Sequence, residues 1–203
     1  MHTQPQAEPN STMVKFGAPD NIVHDYRHWS VLFREAQVTV GALVLIAKGP
    51  ETAFPDLPRE AFTELAEVTA DIEAALGQAF AYDKINYLML MMVDPHVHFH
   101  VVPRYATPRT FDGHDFADAG WPGPPRLDVV NASDAALNAR IQSTIMQYWA
   151  WPLYDMPQPP GSPPADRRSV SHRAQKQRYI EPVKAIRDTT TDYGVSNGYA
   201  LSL

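Results

Sequence analysis

Three of the eight histidines in this chain fall within five consecutive positions, and they are the side chains best placed to do chemistry. They alternate with apolar residues in the stretch 94–105, DPHVHFHVVPRY, and this period of two predicts a half-buried strand. Successive side chains of a strand point to opposite faces, so His96, His98 and His100 would share one face, about 6.5–7 Å from each to the next. At that spacing two imidazoles can reach one tetrahedral phosphorus atom or one metal ion. The pattern therefore indicates either phosphoryl-transfer chemistry or a metal site.

The composition narrows the classes of function. The chain has 203 residues, of which 44% are hydrophobic and 20% charged, as expected for one globular domain with extensions. A net charge of −6 argues against a general nucleic-acid-binding protein, which needs a basic surface. Because there is no cysteine, disulfides and thiolate metal sites are excluded. No apolar run is long enough to span a membrane and the polar N-terminus lacks a secretory signal, so we expect a cytoplasmic protein.

Apolar patterns upstream of the histidines predict the elements that must hold them. The runs 29–33 (WSVLF) and 42–47 (ALVLIA) have the length and composition of strands. Between residues 58 and 80, apolar residues recur at steps of three and four, which predicts a long amphipathic helix. The run 84–93 (KINYLMLMMV) is so apolar that it predicts a strand buried on both faces. This order favours an α+β fold, a mainly antiparallel sheet with one long helix packed on it.

Two segments follow the predicted histidine strand. Residues 106–130 contain many prolines, glycines and aspartates, which favours an extended loop. Ser133 is a candidate cap for a helix from about residue 134 to residue 149. Its buried stripe would consist of Leu137, Ile141 and Ile145.

The ends of the chain differ from its middle. Residues 1–13 are polar and contain proline, which predicts a disordered N-terminus ahead of a domain that spans residues 14–150. Residues 151–203 are first rich in proline and then basic. They predict a poorly ordered C-terminal extension, a proline-rich linker followed by a basic tail.

The pattern around the histidines resembles that of the histidine-triad (HIT) family. Residues 96–102 fit the family motif His-φ-His-φ-His-φ-φ, where φ is apolar, at every position, and a Pro-Arg pair follows as in many members. The resemblance reaches back to about residue 22 and includes the two early strands and the long helix. HIT proteins are nucleotide hydrolases and transferases, usually α+β dimers, that act on the α-phosphate of a nucleoside phosphate derivative. The resemblance therefore implies a small-molecule nucleotide partner and a homodimer centred on the long helix and the 84–93 strand.

The resemblance also assigns roles to the three histidines. His98 matches the nucleophile that takes the nucleotidyl group covalently. His96 and His100 match the flanking histidines, which donate hydrogen bonds to the phosphoryl oxygens and to the leaving group. A neutral imidazole can attack phosphorus, and an ordinary histidine pKa of about 6.5 keeps much of it neutral near pH 7. This route needs neither a metal ion nor another cofactor.

Four further positions match residues that contact the nucleotide in the family. Val23 and Phe33 match apolar residues of the base pocket, and Glu35 stands where an aspartate commonly holds the ribose hydroxyls. Asn86 matches an asparagine near the phosphate. Glu35 is interpreted equally well as a solvated surface carboxylate, and Asn86 as a satisfied polar residue of a strand.

The chain departs from the family pattern close to the histidines. Ala42 stands where many members have a histidine, and Met92 and Val93 replace polar residues that usually lie just ahead of the triad. Most of the family's glycine-rich loop is missing as well. Arg104, which strand alternation predicts on the face of the histidines, is the candidate replacement for the lost phosphate donors. Arg109 and residues of the tail are other candidates.

Three functions remain open at this point. The chain is a HIT-type phosphoryl-transfer enzyme, a HIT-like module that binds a nucleotide without significant turnover, or a metal-binding protein. The missing loop favours the second of these. The third would add His114, Asp112 and Asp115 to the histidines of the strand as ligands. The match beyond the three histidines favours the enzyme.

Overall fold

The structure is a computed structural model in which residues 8–149 are described. These residues form a five-stranded antiparallel sheet, a two-stranded hairpin and three α-helices. In chain order the elements are α1 (Ser11–Lys15), β1 (Ile22–Asp25), β2 (Trp29–Phe33), β3 (Leu43–Ala47), a 3-10 helix (Phe54–Asp56), α2 (Arg59–Phe80), β4 (Lys84–Leu88), β5 (His98–Arg104), β6 (Arg109–Phe111), β7 (His114–Phe116) and α3 (Ala135–Trp149). The strands of the large sheet lie in the order β1-β2-β3-β5-β4. The predicted α+β fold is confirmed.

One face of the large sheet, called the helix face below, packs against α2 and α3. Val31, Leu45 and Val101 point to this face from β2, β3 and β5, and all three are fully buried. They share one apolar core with Ile72 of α2 and Ile141 of α3. Each such side chain contributes roughly 1.5–3 kcal/mol through its removal from water. The helix face is therefore the main source of stability in this part of the chain.

The other face, called the histidine face below, carries the alternate residues of the same strands. Leu32, Val44 and Ile46 point to it and are as fully buried as their neighbours on the helix face. They are covered by the N-terminal segment 10–22, in which Met13 is 3% exposed. β2 and β3 are apolar at consecutive positions because layers cover both faces of the sheet at its centre.

The long helix predicted for residues 58–80 is present as α2. It begins after Pro58 and ends at Ala81, whose left-handed backbone (φ 49°) lets its N–H donate to the carbonyl of Gly77 at 3.0 Å. The predicted stripe is partly confirmed, because Phe62 is 38% exposed and stacks edge-to-face on Phe54 at the surface. The buried residues of the helix are Ala61, Val68, Ile72, Ala75, Leu76 and Phe80.

The C-terminal helix of the domain, α3, is also present where the sequence predicts it. Its stripe of Leu137, Ile141 and Ile145 is buried, as expected. The cap differs from the prediction by one position. The carboxylate of Asp134, and not the hydroxyl of Ser133, accepts a hydrogen bond from the N–H of Leu137 at 2.7 Å.

The apolar run 84–93 is not one strand buried on both faces, so this prediction is wrong for the single chain. β4 covers only the first five residues of the run and forms an edge of the sheet, where no strand lies beyond it in the described residues. Lys84 is exposed, the other four side chains of β4 are half-buried, and the segment that follows lies at the surface. Met92 is 91% exposed and Val93 is 81% exposed.

Two segments predicted to lack regular structure contain some. Within 106–130, β6 and β7 form a hairpin whose two-residue turn is Asp112-Gly113, both with positive φ (49° and 77°). Within 1–13, residues from Ser11 onward belong to α1, which is capped by the side chain of Asn10. The C-terminal extension predicted for 151–203 lies outside the described residues. In the part that is described, no helix has both the length and the apolar character needed to cross a membrane.

Candidate active site

The register of β5 places two of the three histidines side by side on the histidine face. His98 lies opposite Ile46 of β3, and His100 lies between Val44 of β3 and Leu88 of β4. Their ring centroids are 5.3 Å apart and the rings meet edge-to-face, at 81°. The predicted alternation is thus confirmed for this strand, whose intervening residues Phe99 and Val101 point to the helix face.

His96 is not part of the strand, although the sequence pattern predicts that it is. β5 begins two residues later, at His98, where pairing with β3 begins. Pro95 precedes this segment and has no N–H to give to a ladder. The ring of His96 is held instead by the N-terminal segment, with Nδ1 at 2.9 Å from the hydroxyl oxygen of Thr12.

The hydrogen bond made by His98 fixes its tautomer. Nδ1 lies 2.7 Å from the backbone carbonyl oxygen of His96. A carbonyl oxygen can only accept, so Nδ1 carries a proton, and in the neutral ring Nε2 keeps its lone pair. The side chain is fully buried, and Nε2 has no hydrogen-bond partner among the described residues. His98 therefore presents an unprotonated and unpartnered nitrogen inside the protein.

His100 is a neutral imidazole near pH 7. Burial, followed by electrostatic interactions with His98 and Arg34, lowers its pKa from 6.5 to about 4, and Asp94 opposes this only in part. The residue is 9% exposed, and its Nδ1 also lacks a partner within residues 8–149. His100 is thus suited to hydrogen bonding and not to holding a positive charge at pH 7.

The N-terminal segment covers both rings. The ring of Phe16 lies 6.1 Å from that of His98 and 5.8 Å from that of His100, measured between centroids. On the same segment, Nζ of Lys15 contacts a carboxylate oxygen of Asp94 at 2.5 Å. This ion pair offsets a negative charge that would otherwise repel an anionic ligand from the histidines.

Arg104 lies on the histidine face, as predicted, but its guanidinium is already engaged. Nε and Nη2 donate to the two carboxylate oxygens of Asp118 at 2.6 and 3.1 Å. Nη1 donates to the side-chain oxygen of Asn86 at 2.8 Å, and Nη2 also donates to the carbonyl of Gly123 at 2.9 Å. The side chain is 5% exposed and that of Asp118 is 2% exposed. These contacts contradict the prediction that Arg104 replaces the missing phosphate donors, because its charge is matched and its donors are used.

A cavity of about 380 Å³ lies beside this network. Strand alternation places the floor of the cavity on the histidine face, next to His100. Leu88 pairs with His100, and Asn86, two residues before Leu88, points to the same face. The wall opposite is apolar. The lining residues are Lys84, Asn86, Leu88, Arg104, Trp121, Pro122, Gly123, Pro124 and Pro125. Asn86 thus borders the cavity, as expected for a residue near a ligand, while its side-chain oxygen is satisfied by Arg104.

The two apolar residues matched to the base pocket lie on the wrong side of the sheet. Val23 and Phe33 are 5% and 1% exposed, and both belong to the core between the sheet and the helices. The sheet itself separates them from His98 and His100, so they do not line one pocket with the histidines. Glu35 is exposed, and its carboxylate accepts a hydrogen bond from Asn21 at 3.1 Å.

Arg34 is a candidate site residue that the sequence reasoning missed. It follows β2 directly, and alternation from Leu32 would have placed it on the histidine face. Its side chain is partly buried, and burial lowers its pKa. The covering residues of the N-terminal segment were missed as well, since that segment carries no periodic pattern.

The metal alternative has no support in the described residues. Between residues 8 and 149, no group of three or more His, Asp and Glu side chains is arranged to hold a metal ion. The hairpin residues named for that site are engaged elsewhere. Asp112 pairs with Arg140, Asp115 accepts a hydrogen bond from Thr110 at 2.6 Å, and His114 Nδ1 lies 3.0 Å from the carbonyl of Asp112.

The match to a known family covers the strands that position the histidines. Residues 17–107 match the sequence profile of the HIT domain, from the end of the N-terminal segment to just beyond β5. This stretch is a HIT domain. The resemblance predicted from the sequence is therefore confirmed, while α3 and the β6–β7 hairpin lie outside the matched residues.

Solved structures of histidine triad proteins share the fold of this HIT domain. The protein from Sinorhizobium meliloti 1021 has a TM-score of 0.53 and 18% identity, covering 67% of this chain and 92% of its own. The protein from Bradyrhizobium japonicum has a TM-score of 0.51 and 22% identity, and the match covers 63% of this chain and 88% of that protein. The protein from Marinobacter aquaeolei VT8 has a TM-score of 0.52 and 18% identity, and the match covers 63% of this chain and 87% of that protein. No curated protein sequence matches the chain. At these identities the likeness establishes the fold and leaves the reaction to be argued from the site.

Proposed function

We propose that this HIT domain is a nucleotide hydrolase or nucleotidyl transferase that cleaves at the α-phosphate of a nucleoside phosphate derivative, through a covalent intermediate on His98. One observation carries the proposal. In the neutral ring, the hydrogen bond from Nδ1 of His98 to the backbone carbonyl of His96 leaves the lone pair on Nε2, and Nε2 has no partner in the described residues. An imidazole held in this way can attack phosphorus directly, so the step needs no metal ion.

The reaction takes two steps at phosphorus. In the first, the lone pair of Nε2 forms a bond to the α-phosphorus while the bond from phosphorus to the leaving group breaks. The leaving group takes up a proton from solvent, and His96 donates a hydrogen bond to it. In the second, water or another acceptor attacks phosphorus, the phosphorus–nitrogen bond breaks and its electron pair returns to Nε2. The proton lost by the acceptor returns to solvent, and His98 is regenerated.

His100 contributes a hydrogen bond and no net charge. Its low pKa, about 4, keeps it neutral at pH 7. A neutral ring beside the nucleophile does not compete for the proton that the leaving group needs, and its N–H can stabilise a phosphoryl oxygen as charge develops there. The cavity beyond Leu88 would receive a further part of the substrate, since it opens on the same face and has an apolar wall.

Access to His98 requires movement within the N-terminal segment. The nucleophile is fully buried, and Phe16 lies over both rings. Substrate binding would therefore displace Phe16 and use the same face that Phe16 covers. The segment is otherwise held by buried Met13, by the hydrogen bond between Thr12 and His96 and by the ion pair between Lys15 and Asp94, so the movement required is that of the Phe16 side chain.

The alternative of a nucleotide-binding module with little turnover is favoured by one observation. The arginine expected to replace the missing phosphate donors is instead bound to Asp118. Loss of one preorganised donor costs about 10²–10³ in rate in other enzymes. Binding would survive such a loss better than catalysis does.

A rapid alkaline quench, which preserves a phosphorus–nitrogen bond to histidine, separates the two functions. The protein is incubated with a panel of an adenylated lysine, a dinucleoside polyphosphate and a nucleoside phosphoramidate, and intact mass is measured after the quench. We expect a mass increase of one nucleotidyl group in the wild-type chain, its absence in His98→Ala and its presence in His114→Ala, which removes an exposed hairpin histidine instead. Turnover at the wild-type rate in His98→Ala would contradict the mechanism.

We further propose a homodimer built on the edge of the sheet. Within residues 8–149 no strand pairs with the outer edge of β4, and the segment after it exposes Met92 and Val93 together with Met89 and Leu90, which are 41% and 44% exposed. Light scattering at micromolar concentration should give twice the chain mass. Met92→Lys with Val93→Lys should shift that mass toward the monomer, and a monomeric wild-type chain would refute the proposal.

A further inference from the structure

Arg34 occupies a distinct position on the histidine face. Leu32 of β2 pairs with Val44 of β3, which in turn pairs with His100. Two residues beyond Leu32, the N–H of Arg34 donates to the carbonyl of Ala42 at 3.2 Å and continues this ladder. Arg34 therefore stands on the same face as His100, one row further along the strands and two strands away. The residue between them in that row, Ala42, has only a methyl group to place in the way of a long side chain.

The guanidinium of Arg34 has no counter-charge among the described residues. None of the ion pairs between residues 8 and 149 includes it, and the hydrogen bond that its Nη1 makes goes to the backbone carbonyl of Ala36. Its side chain is nevertheless partly buried. Burial of an unpaired cation is unfavourable, and buried arginines are normally paired, as Arg104 is with Asp118.

The charge of Arg34 acts on the site. Its positive charge and that of Lys15 disfavour protonation of His100, as does the neighbouring His98 ring, and Asp94 is the carboxylate that opposes them. Lys15 and Asp94 form a pair with each other. Of the charged side chains that face His100, Arg34 is thus the cation that remains without an anionic partner in the described structure.

We propose that Arg34 is the anion-binding residue of this site and contacts the non-bridging oxygens of the phosphate that His98 attacks. The inference rests on the proposed function and extends it, since it requires the substrate to present an ionised phosphoryl group at this place. A phosphate supplies the counter-charge that the folded chain lacks, and a guanidinium can hold two of its oxygens at once. Arg34 thus takes the role of phosphate donor that the sequence predicts for Arg104, and it does so from the β2 side of the site.

Binding of AMP and of adenosine, measured by calorimetry, tests the inference without turnover. We expect wild-type protein to bind AMP more tightly than adenosine. Arg34→Gln should weaken AMP binding by about tenfold or more and leave adenosine binding unchanged, as for loss of a charge-assisted contact. Arg34→Lys should restore part of the loss. Arg27→Gln, which removes an exposed arginine of the β1–β2 turn, should bind as the wild type does.

Histidine NMR provides a second readout that does not depend on ligand. Removal of a nearby positive charge should raise the pKa of His100 in Arg34→Gln and leave it unchanged in Arg27→Gln. The inference is overturned if AMP and adenosine bind wild-type protein equally, or if Arg34→Gln binds AMP as tightly as wild type. Turnover with an unaltered kcat/KM in Arg34→Gln would overturn it and leave the proposed function intact. If AMP binding depends on Arg34 but the protein forms no covalent adduct, the anion-binding role of Arg34 stands and the proposed function is refuted.

Discussion

The two faces of the central sheet are built for different purposes. The helix face is closed by α2 and α3 over large apolar side chains such as Ile72 and Ile141. The histidine face is covered by a short segment, and it keeps two imidazole nitrogens, on His98 and His100, buried without a hydrogen-bond partner in the described residues. Arg34 adds to the same face a partly buried cation that pairs with no carboxylate of residues 8–149.

This difference indicates where stability is given up for binding. An unsatisfied buried polar group costs roughly 1–3 kcal/mol, and a fold tolerates several only when other contacts offset them. The apolar helix face provides those contacts. A ligand that meets the nitrogens and the guanidinium would then gain interactions that folding leaves unmade, so the histidine face is the one on which a substrate belongs.

The first prediction concerns Arg104 and Asp118, the part of the histidine face in which buried charges are paired with each other. Arg104→Ala leaves the carboxylate of Asp118 buried without its cation, and removal of one partner from such a pair costs about 3–5 kcal/mol. Urea unfolding at pH 7 should report a loss of that size. Arg104→Met combined with Asp118→Asn should recover much of it, because no unpaired charge remains. A loss below about 1 kcal/mol in the single variant would show that the network is not a structural anchor.

The second prediction contrasts the two faces directly. Ile72→Ala removes a fully buried side chain from the core of the helix face and should lower the free energy of unfolding by about 2–5 kcal/mol. His98→Ala removes a ring whose Nε2 makes no hydrogen bond in the described structure, and should cost much less while abolishing formation of the covalent adduct. Both are measured by urea unfolding with activity in parallel. Equal destabilisation by the two substitutions would break the comparison.

The third prediction follows from the low pKa of His100. In the unfolded chain its imidazole takes up a proton as pH falls through 6.5, whereas in the folded chain it does so only at about 4. Between these values the unfolded state binds more protons, so the free energy of unfolding decreases as pH falls, by about 3 kcal/mol at most. His100→Gln should remove this part of the pH dependence, and His114→Gln, at an exposed site, should keep it. The same slope between pH 4 and 6.5 in His100→Gln and wild type would contradict it.

Local patterns in the sequence were sufficient for the elements that carry them. The period of α2 and the stripe of α3 depend on neighbours within two turns, and both were predicted within a few residues. The alternation of residues 98–101 likewise predicted which side chains share a face. These features follow from helix and strand geometry alone.

Features that depend on the position of an element in the fold were not predictable in this way. An apolar run has the same pattern at the centre and at the edge of a sheet, so the exposure of Met92 and Val93 could not be read from residues 84–93. The pairing of β2 with β3 decides that Phe33 faces the helices, and matching positions to a family did not reveal it. The Asp112-Gly113 turn, by contrast, is a hairpin signal that the sequence does contain.

The last and smallest effect is expected for the cover itself. Phe16 is partly buried and contacts both rings, so Phe16→Ala should lower the free energy of unfolding by only about 1 kcal/mol, well below a core substitution on the helix face. The same change uncovers His98, whose Nε2 is otherwise inaccessible. Modification of His98 by diethyl pyrocarbonate, followed by mass spectrometry, should therefore become several-fold faster in Phe16→Ala, while modification of the exposed His114 keeps its rate. Phe62→Ala, which removes a surface aromatic from α2, serves as the matched control. An unchanged rate at His98 would mean that Phe16 does not limit access, and that the opening of the histidine face must be sought in the rest of the N-terminal segment.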